Sequence, residues 1–156
     1  MKEVVKLLKE KNMKIATMES CTGGGVANAI TNIEGASEVI SFSAVTYSNE
    51  AKIKIGVNEK TIKTFTVYSV EVAREMAKTI STVANSNIGI GITGKINRED
   101  KQNKYGENDK IYVSIYLKEE NKNIDLEIRA IPNVSREENK QLVIKKLCEK
   151  LKDILA

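Results

Sequence analysis

At 156 residues the chain is long enough for one compact domain that buries roughly 70% of its unfolded surface, and no second domain is needed. With 41% hydrophobic residues, 29% charged residues and a single proline it is neither a disordered nor a fibrous sequence, and it holds no apolar run near the ~20 residues that a membrane span requires. The net charge of +4 arises from 25 basic and 21 acidic residues spread along the whole chain, and no basic cluster is interleaved with aromatics, so nucleic acid is not an expected partner.

Lys2 to Lys11 carries Val4, Val5 and Leu8 on one side among lysines and glutamates, a helical pattern without a signal peptide's apolar core. A cytoplasmic protein is the expectation. Ile15 to Met18 reads as the first strand, and a helix is predicted from about Thr22 to Asn32, ended near Gly35. Between them lies KIATMESCTGGG, Lys14 to Gly25, a strand that breaks into a tight turn of three glycines. Such a turn directs backbone N–H groups and the positive end of a helix dipole into one small space, which suits an anion or a developing oxyanion. It also carries two nucleophiles, Ser20 and Cys21.

Val39 to Tyr47, VISFSAVTY, is rich in β-branched and aromatic residues and reads as a second strand. Ser48 or Asn49 then caps a short helix that Gly56 stops, and Asn58 to Thr64 predicts another. Ser69 caps the next and longer helix, in which Val72, Ala73, Met76, Ala77, Ile80, Val83 and Ala84 recur at helical spacing. Residues 88–92 alternate isoleucine with glycine, so one face of that strand is bare and another backbone must lie close to it. Lys95 to Lys110 holds a single aliphatic residue and reads as a solvated loop whose length implies function or motion.

Ile111 to Leu117 and Ile124 to Ala130 both alternate apolar with polar residues across the short polar connection Lys118–Asn123, the pattern of an antiparallel hairpin. Ser135 to Glu138 forms a capping box that opens the last helix, and Cys148 falls on its apolar face as a core residue. The order of elements predicts an α/β fold: a three-layer α/β/α arrangement with a mixed sheet of about five strands, βα units early and an antiparallel hairpin late.

Histidine is absent from the chain, which removes every Ser-His-Asp, Cys-His and histidine-ligated metal arrangement. Two cysteines, Cys21 and Cys148, with no CxxC pair, give neither a disulfide framework nor a zinc site, and no metal or other cofactor is expected. Any base must then be Lys, Tyr, Asp or Glu. Tyr47 at a strand end and Lys52 about a turn into the following helix could meet over the sheet edge where Ser20 lies. A lysine base must lower its pKa from ~10.4 toward 7–8, which takes about 4 kcal/mol of differential interaction. Taken singly, each residue has an ordinary structural reading: Ser20 as a turn former, Lys52 as a surface charge, Tyr47 as packing.

Four blocks together, Thr17–Gly24, Val45–Lys52, Ser69–Ala77 and Gly91–Gly94, resemble the CinA C-terminal domain family, whose enzymes are nicotinamide-nucleotide amidases. The resemblance implies hydrolysis of the carboxamide of nicotinamide mononucleotide to the carboxylate with release of ammonia. It assigns Ser20 as nucleophile with Lys52 and Tyr47 moving the proton, and it places Thr22, Gly23, Gly24, Thr93, Gly94 and Arg136 against the substrate. The expected partner is a small nucleotide, and a homo-oligomer is left open. Two departures stand out. The family's Gly/Pro-rich loop after its ITG block is replaced by Lys95–Lys110, and the second of two spaced arginines is Lys140 beside Arg136. The alternative reading is a homologue that keeps the fold and a nucleotide pocket without turnover.

Overall fold

The computed structural model describes residues 1–156. Its centre is a five-stranded mixed sheet in the order β2-β1-β3-β4-β5, with β1 at Ile15–Glu19, β2 at Ser43–Val45, β3 at Ile88–Gly94, β4 at Lys110–Leu117 and β5 at Lys122–Arg129. β1 runs parallel to β2 and β3, pairing Thr17 with Ser43 and with Ile90, while β4 and β5 turn antiparallel to β3.

Helices cover both faces, as the order of elements predicts. α1 (Lys2–Glu10), α2 (Gly25–Thr31) and α6 (Arg136–Leu155) share one core with the isoleucines of β3 and with Ile111, Val113 and Ile115 of β4. α3 (Asn49–Ile55), α4 (Glu59–Phe65) and α5 (Val70–Ala84) lie on the opposite side, where Ala16 and Met18 meet Ile62, Val72, Met76 and Ile80. The bare face of β3 is where α5 comes closest. A methyl at Gly91 would overlap the Ala73 carbonyl oxygen and lie 2.6 Å from the Ala77 nitrogen.

Three expectations are corrected. The second strand covers only Ser43–Val45 rather than residues 39–47. Val39 and Ile40 are buried, but they leave a 3-10 turn at Ala36–Glu38, and only the Val39 carbonyl meets β1, at Ile15 N. Their branched side chains mark burial, and burial does not require pairing. Cys148 is half-buried at the edge of the α6 core rather than inside it. The loop after β3 is not solvated throughout, since Lys95 and Ile96 are buried.

β1 feeds β2 on one side of it, and the chain returns through α5 to β3 on the other side. The helix that follows β1 packs on one face of the sheet and the helices that follow β2 pack on the other, which opens a crevice at the carboxyl ends of these strands, the usual ligand position in an open α/β sheet. Ser20 sits at that crevice.

Candidate active site

The turn after β1 is fixed from inside. Gly23 and Gly24 take left-handed φ values of 62° and 91°, conformations that branched side chains resist, so α2 begins at Gly25 rather than Thr22. Ser20 N donates to Ile92 O of β3 at 3.1 Å, and Gly23 N returns to Ser20 O at 2.9 Å. Glu19 is fully buried, and its carboxylate accepts from Thr22 Oγ1 at 2.6 Å, Ala27 N at 2.8 Å, Val26 N at 3.1 Å and Thr17 Oγ1 at 3.1 Å. The helix N-terminus that the sequence predicts as an anion site is thus already filled by the chain's own carboxylate. Gly24 offers no side chain to cap α2, and Glu19 does so from the preceding strand.

Lys52 reaches the same place from α3. Ser48 caps that helix by accepting from Ala51 N at 3.1 Å, and the first turn then aims Lys52 inward, where the residue is 2% exposed. Its Nζ donates to Thr46 O at 2.7 Å and lies 3.3 Å from Ser20 Oγ. It forms no ion pair. Burial of the ammonium without a counter-ion lowers its pKa to about 8. A neutral amine at 3.3 Å can accept the Ser20 hydroxyl proton.

The neighbouring thiol is tuned the other way. Burial pushes Cys21 up to about 12, with the Arg136 and Lys52 charges only partly opposing it, so the thiol stays protonated near neutral pH. Of the two nucleophiles in the turn, Ser20 is the one with a base in reach.

Tyr47 does not complete the set by a direct bond. It is 64% exposed at the rim, and its hydroxyl accepts from Arg136 Nη2 at 3.3 Å rather than touching Lys52 or Ser20. Arg136 is the first residue of α6, presented by the Ser135–Glu138 capping box, and its Nη1 also donates to Ile96 O at 3.3 Å. Ser20, Cys21, Tyr47, Lys52, Gly94 and Arg136 all line one cavity of about 1190 Å³.

The other expected contacts lie behind the wall. Thr22 spends its hydroxyl on Glu19, Thr93 donates to Val67 O at 2.9 Å, and neither residue lines the cavity; nor do Gly23 and Gly24. Lys140 reaches the back of the turn, where a methyl placed on Gly23 would sit 3.3 Å from its Nζ. The sequence reading missed the contribution of the loop after β3. Lys95, Asp100 and Asn103 line the cavity together with Tyr68, whose hydroxyl donates to the Asp100 carboxylate. Asn49 Nδ2 of α3 donates to Asn103 Oδ1 at 3.0 Å and ties the loop to the helix that carries Lys52. A run of polar residues gives no sign that it folds back over a pocket.

Residues 1–155 match the CinA C-terminal domain. The chain belongs to that family. Among relatives, it is 54% identical over 96 residues to a Clostridium perfringens protein with the provisional name competence-damage inducible protein, a match spanning 60% of this chain and 23% of the relative. A similarly named protein from Alkaliphilus oremlandii is 47% identical over 103 residues, or 63% of this chain and 25% of that one. The chain therefore aligns with about a quarter of the length of these relatives. Solved structures share the family fold. A CinA superfamily protein from Klebsiella pneumoniae superposes with a TM-score of 0.89 at 22% identity, covering 99% of this chain and 94% of its own. A competence/damage inducible protein from Agrobacterium tumefaciens gives 0.80 at 25% identity, covering 96% and 93%. For the family member described here no helix is long and apolar enough to cross a membrane.

Proposed function

We propose that the chain is an amidase that hydrolyses the carboxamide of nicotinamide mononucleotide, with Ser20 as nucleophile and Lys52 as base. The observation that carries the reading is the buried Lys52 amine 3.3 Å from Ser20 Oγ, with its pKa lowered to about 8. A lysine desolvated beside a serine that has no histidine is expensive to build, and general-base chemistry is what such a lysine suits. The cavity, at about 1190 Å³, has room for a mononucleotide.

In this scheme neutral Lys52 accepts the Ser20 proton as Oγ bonds to the carboxamide carbon. The carbonyl oxygen takes the negative charge, and the amide of Cys21, a residue that lines the cavity and whose N–H donates to no backbone carbonyl, is a donor free to receive it. Collapse breaks the C–N bond, and the Lys52 proton leaves with the amine as ammonia. Lys52 then takes a proton from water, whose oxygen attacks the Ser20 ester. Nicotinate mononucleotide departs with Ser20 restored. Tyr47 and Arg136, joined at the rim, contact the bound nucleotide rather than the transferred proton.

Ammonia release from the mononucleotide by purified protein tests the reading, with Ser20→Ala as control. Loss of the nucleophile is expected to reduce turnover by at least about 10³-fold. Turnover indistinguishable from the Ser20→Ala background would sink the proposal. A second reading, nucleotide binding without hydrolysis, draws on Tyr47 bonding Arg136 instead of Lys52; calorimetric binding of the mononucleotide without turnover would favour it.

A further inference from the structure

The amide chemistry leaves one buried cation of the cavity without a task. Lys95 directly follows β3, is 4% exposed and lines the cavity. Its Nζ lies 3.3 Å from Asn108 Oδ1 and 4.9 Å from the centroid of the Tyr68 ring. It belongs to none of the chain's ion pairs. Asp100, the nearby acid, is committed elsewhere, accepting from the Tyr68 hydroxyl, from Gln102 N at 2.9 Å and from Asn103 Nδ2 at 3.1 Å.

A buried ammonium served by one neutral amide and one aromatic face has lost water without gaining a counter-ion, which costs stability. An ammonium has three donors, and only one of them has a hydrogen-bond acceptor here. The remaining capacity faces a cavity whose second cation, the exposed Arg136 at the rim, is adjacent, because Arg136 Nη1 is bonded to Ile96 O of the next residue at 3.3 Å. One short segment thus carries the first cation, Lys95, and bonds the second, Arg136, through the Ile96 carbonyl. That pairing fits a doubly charged oxyanion better than a carboxamide or a ribose hydroxyl.

We infer that Lys95, working with Arg136, recognises the phosphate monoester of the substrate and so selects a nucleotide over its nucleoside; the identity of that nucleotide rests on the amidase reading. The layout suits this. Ser20 N is bonded to Ile92 O, and Lys95 lies three residues further along extended chain, about 10 Å at ~3.3 Å per residue. A nucleoside bridges such a span between a reacting amide and a phosphate.

The test is calorimetry on Ser20→Ala protein, with and without Lys95→Met, titrated with nicotinamide mononucleotide and with nicotinamide riboside. Lys95→Met is expected to weaken mononucleotide binding roughly 10- to 100-fold, the worth of one charge-assisted bond, and to leave riboside binding within about twofold. Lys95→Arg is expected to keep most of the preference. Removing an unpaired buried charge should leave the melting temperature unchanged or raised. Mononucleotide binding unchanged by Lys95→Met, equal weakening of both ligands, no binding of either, or a large fall in melting temperature would each overturn the inference. The amidase reading is judged separately. Lys95-dependent preference without ammonia release from the unaltered protein leaves the phosphate site standing and removes the amidase, while ammonia release with an unchanged preference does the reverse.

Discussion

Lys52 illustrates how one residue can serve chemistry at the expense of the fold. Its pKa lowered from 10.5 to about 8 means that the folded chain holds that proton less tightly than the unfolded chain does. Below pH 8 both states are protonated, and the penalty, about 3 kcal/mol at ~1.4 kcal/mol per unit, is fully present. From pH 8 to 10.5 the unfolded chain binds more protons, so this residue's contribution to stability rises with pH. Urea denaturation should therefore show the parent gaining on Lys52→Met by up to about 3 kcal/mol between pH 7 and pH 10.5. An unchanged difference would mean that burial does not govern Lys52. The same titration governs activity. At pH 7 about one molecule in ten carries the neutral base, so kcat/KM should climb roughly tenfold per unit up to about pH 8 and then level, as measured by ammonia release across pH. Glu19 shows the opposite economy, since four donors satisfy its carboxylate and hold the turn that presents Ser20.

At the scale of elements, β3 and α5 set how close the two layers come. The Ile-Gly alternation puts branched side chains into the larger core and leaves bare backbone toward Ala73 and Ala77. Gly91→Ala should cost about 3 kcal/mol, measured as a shift in denaturation midpoint at constant m-value, because the new methyl meets helix backbone rather than a side chain that could turn aside. Gly25→Ala is the contrast. There the added methyl meets the end of Ile144 at 3.1 Å, a side chain able to shift. A small effect at Gly91 would show that α5 can slide on the sheet.

Across the molecule the two cores differ in size, with 25 buried residues on the α1, α2 and α6 side and 8 on the α3, α4 and α5 side. Ser20 is anchored between the central strands, whereas Lys52 is carried by α3 on the smaller core. Local opening should follow that asymmetry. Native-state hydrogen exchange is expected to show residues 49–65 opening at lower free energy than β1 and β3, with mononucleotide binding slowing exchange there. Equal protection of both regions would refute this division. Opening of α3 would withdraw the base and leave the nucleophile in place.

Much of this was legible in the residues. Alternation and helical spacing place all five strands and all six helices, and the absence of histidine forces the base to be a residue such as Lys52. The 39–47 stretch misled because burial and strand pairing favour the same branched side chains. The glycine turn misled because local sequence cannot say that Glu19, eight residues before Ala27, folds back onto the helix end. Patterns of polarity record which residues face water over a few turns of chain, and they carry no account of partners brought from elsewhere. The sequence by itself therefore determined the layers, the turn and the candidate nucleophile and base. Only the tertiary structure decided that Lys52 lies 3.3 Å from Ser20, that Tyr47 pairs with Arg136, and that Lys95 is buried in the cavity wall, because those distances depend on strand order and helix placement that join residues far apart in the chain.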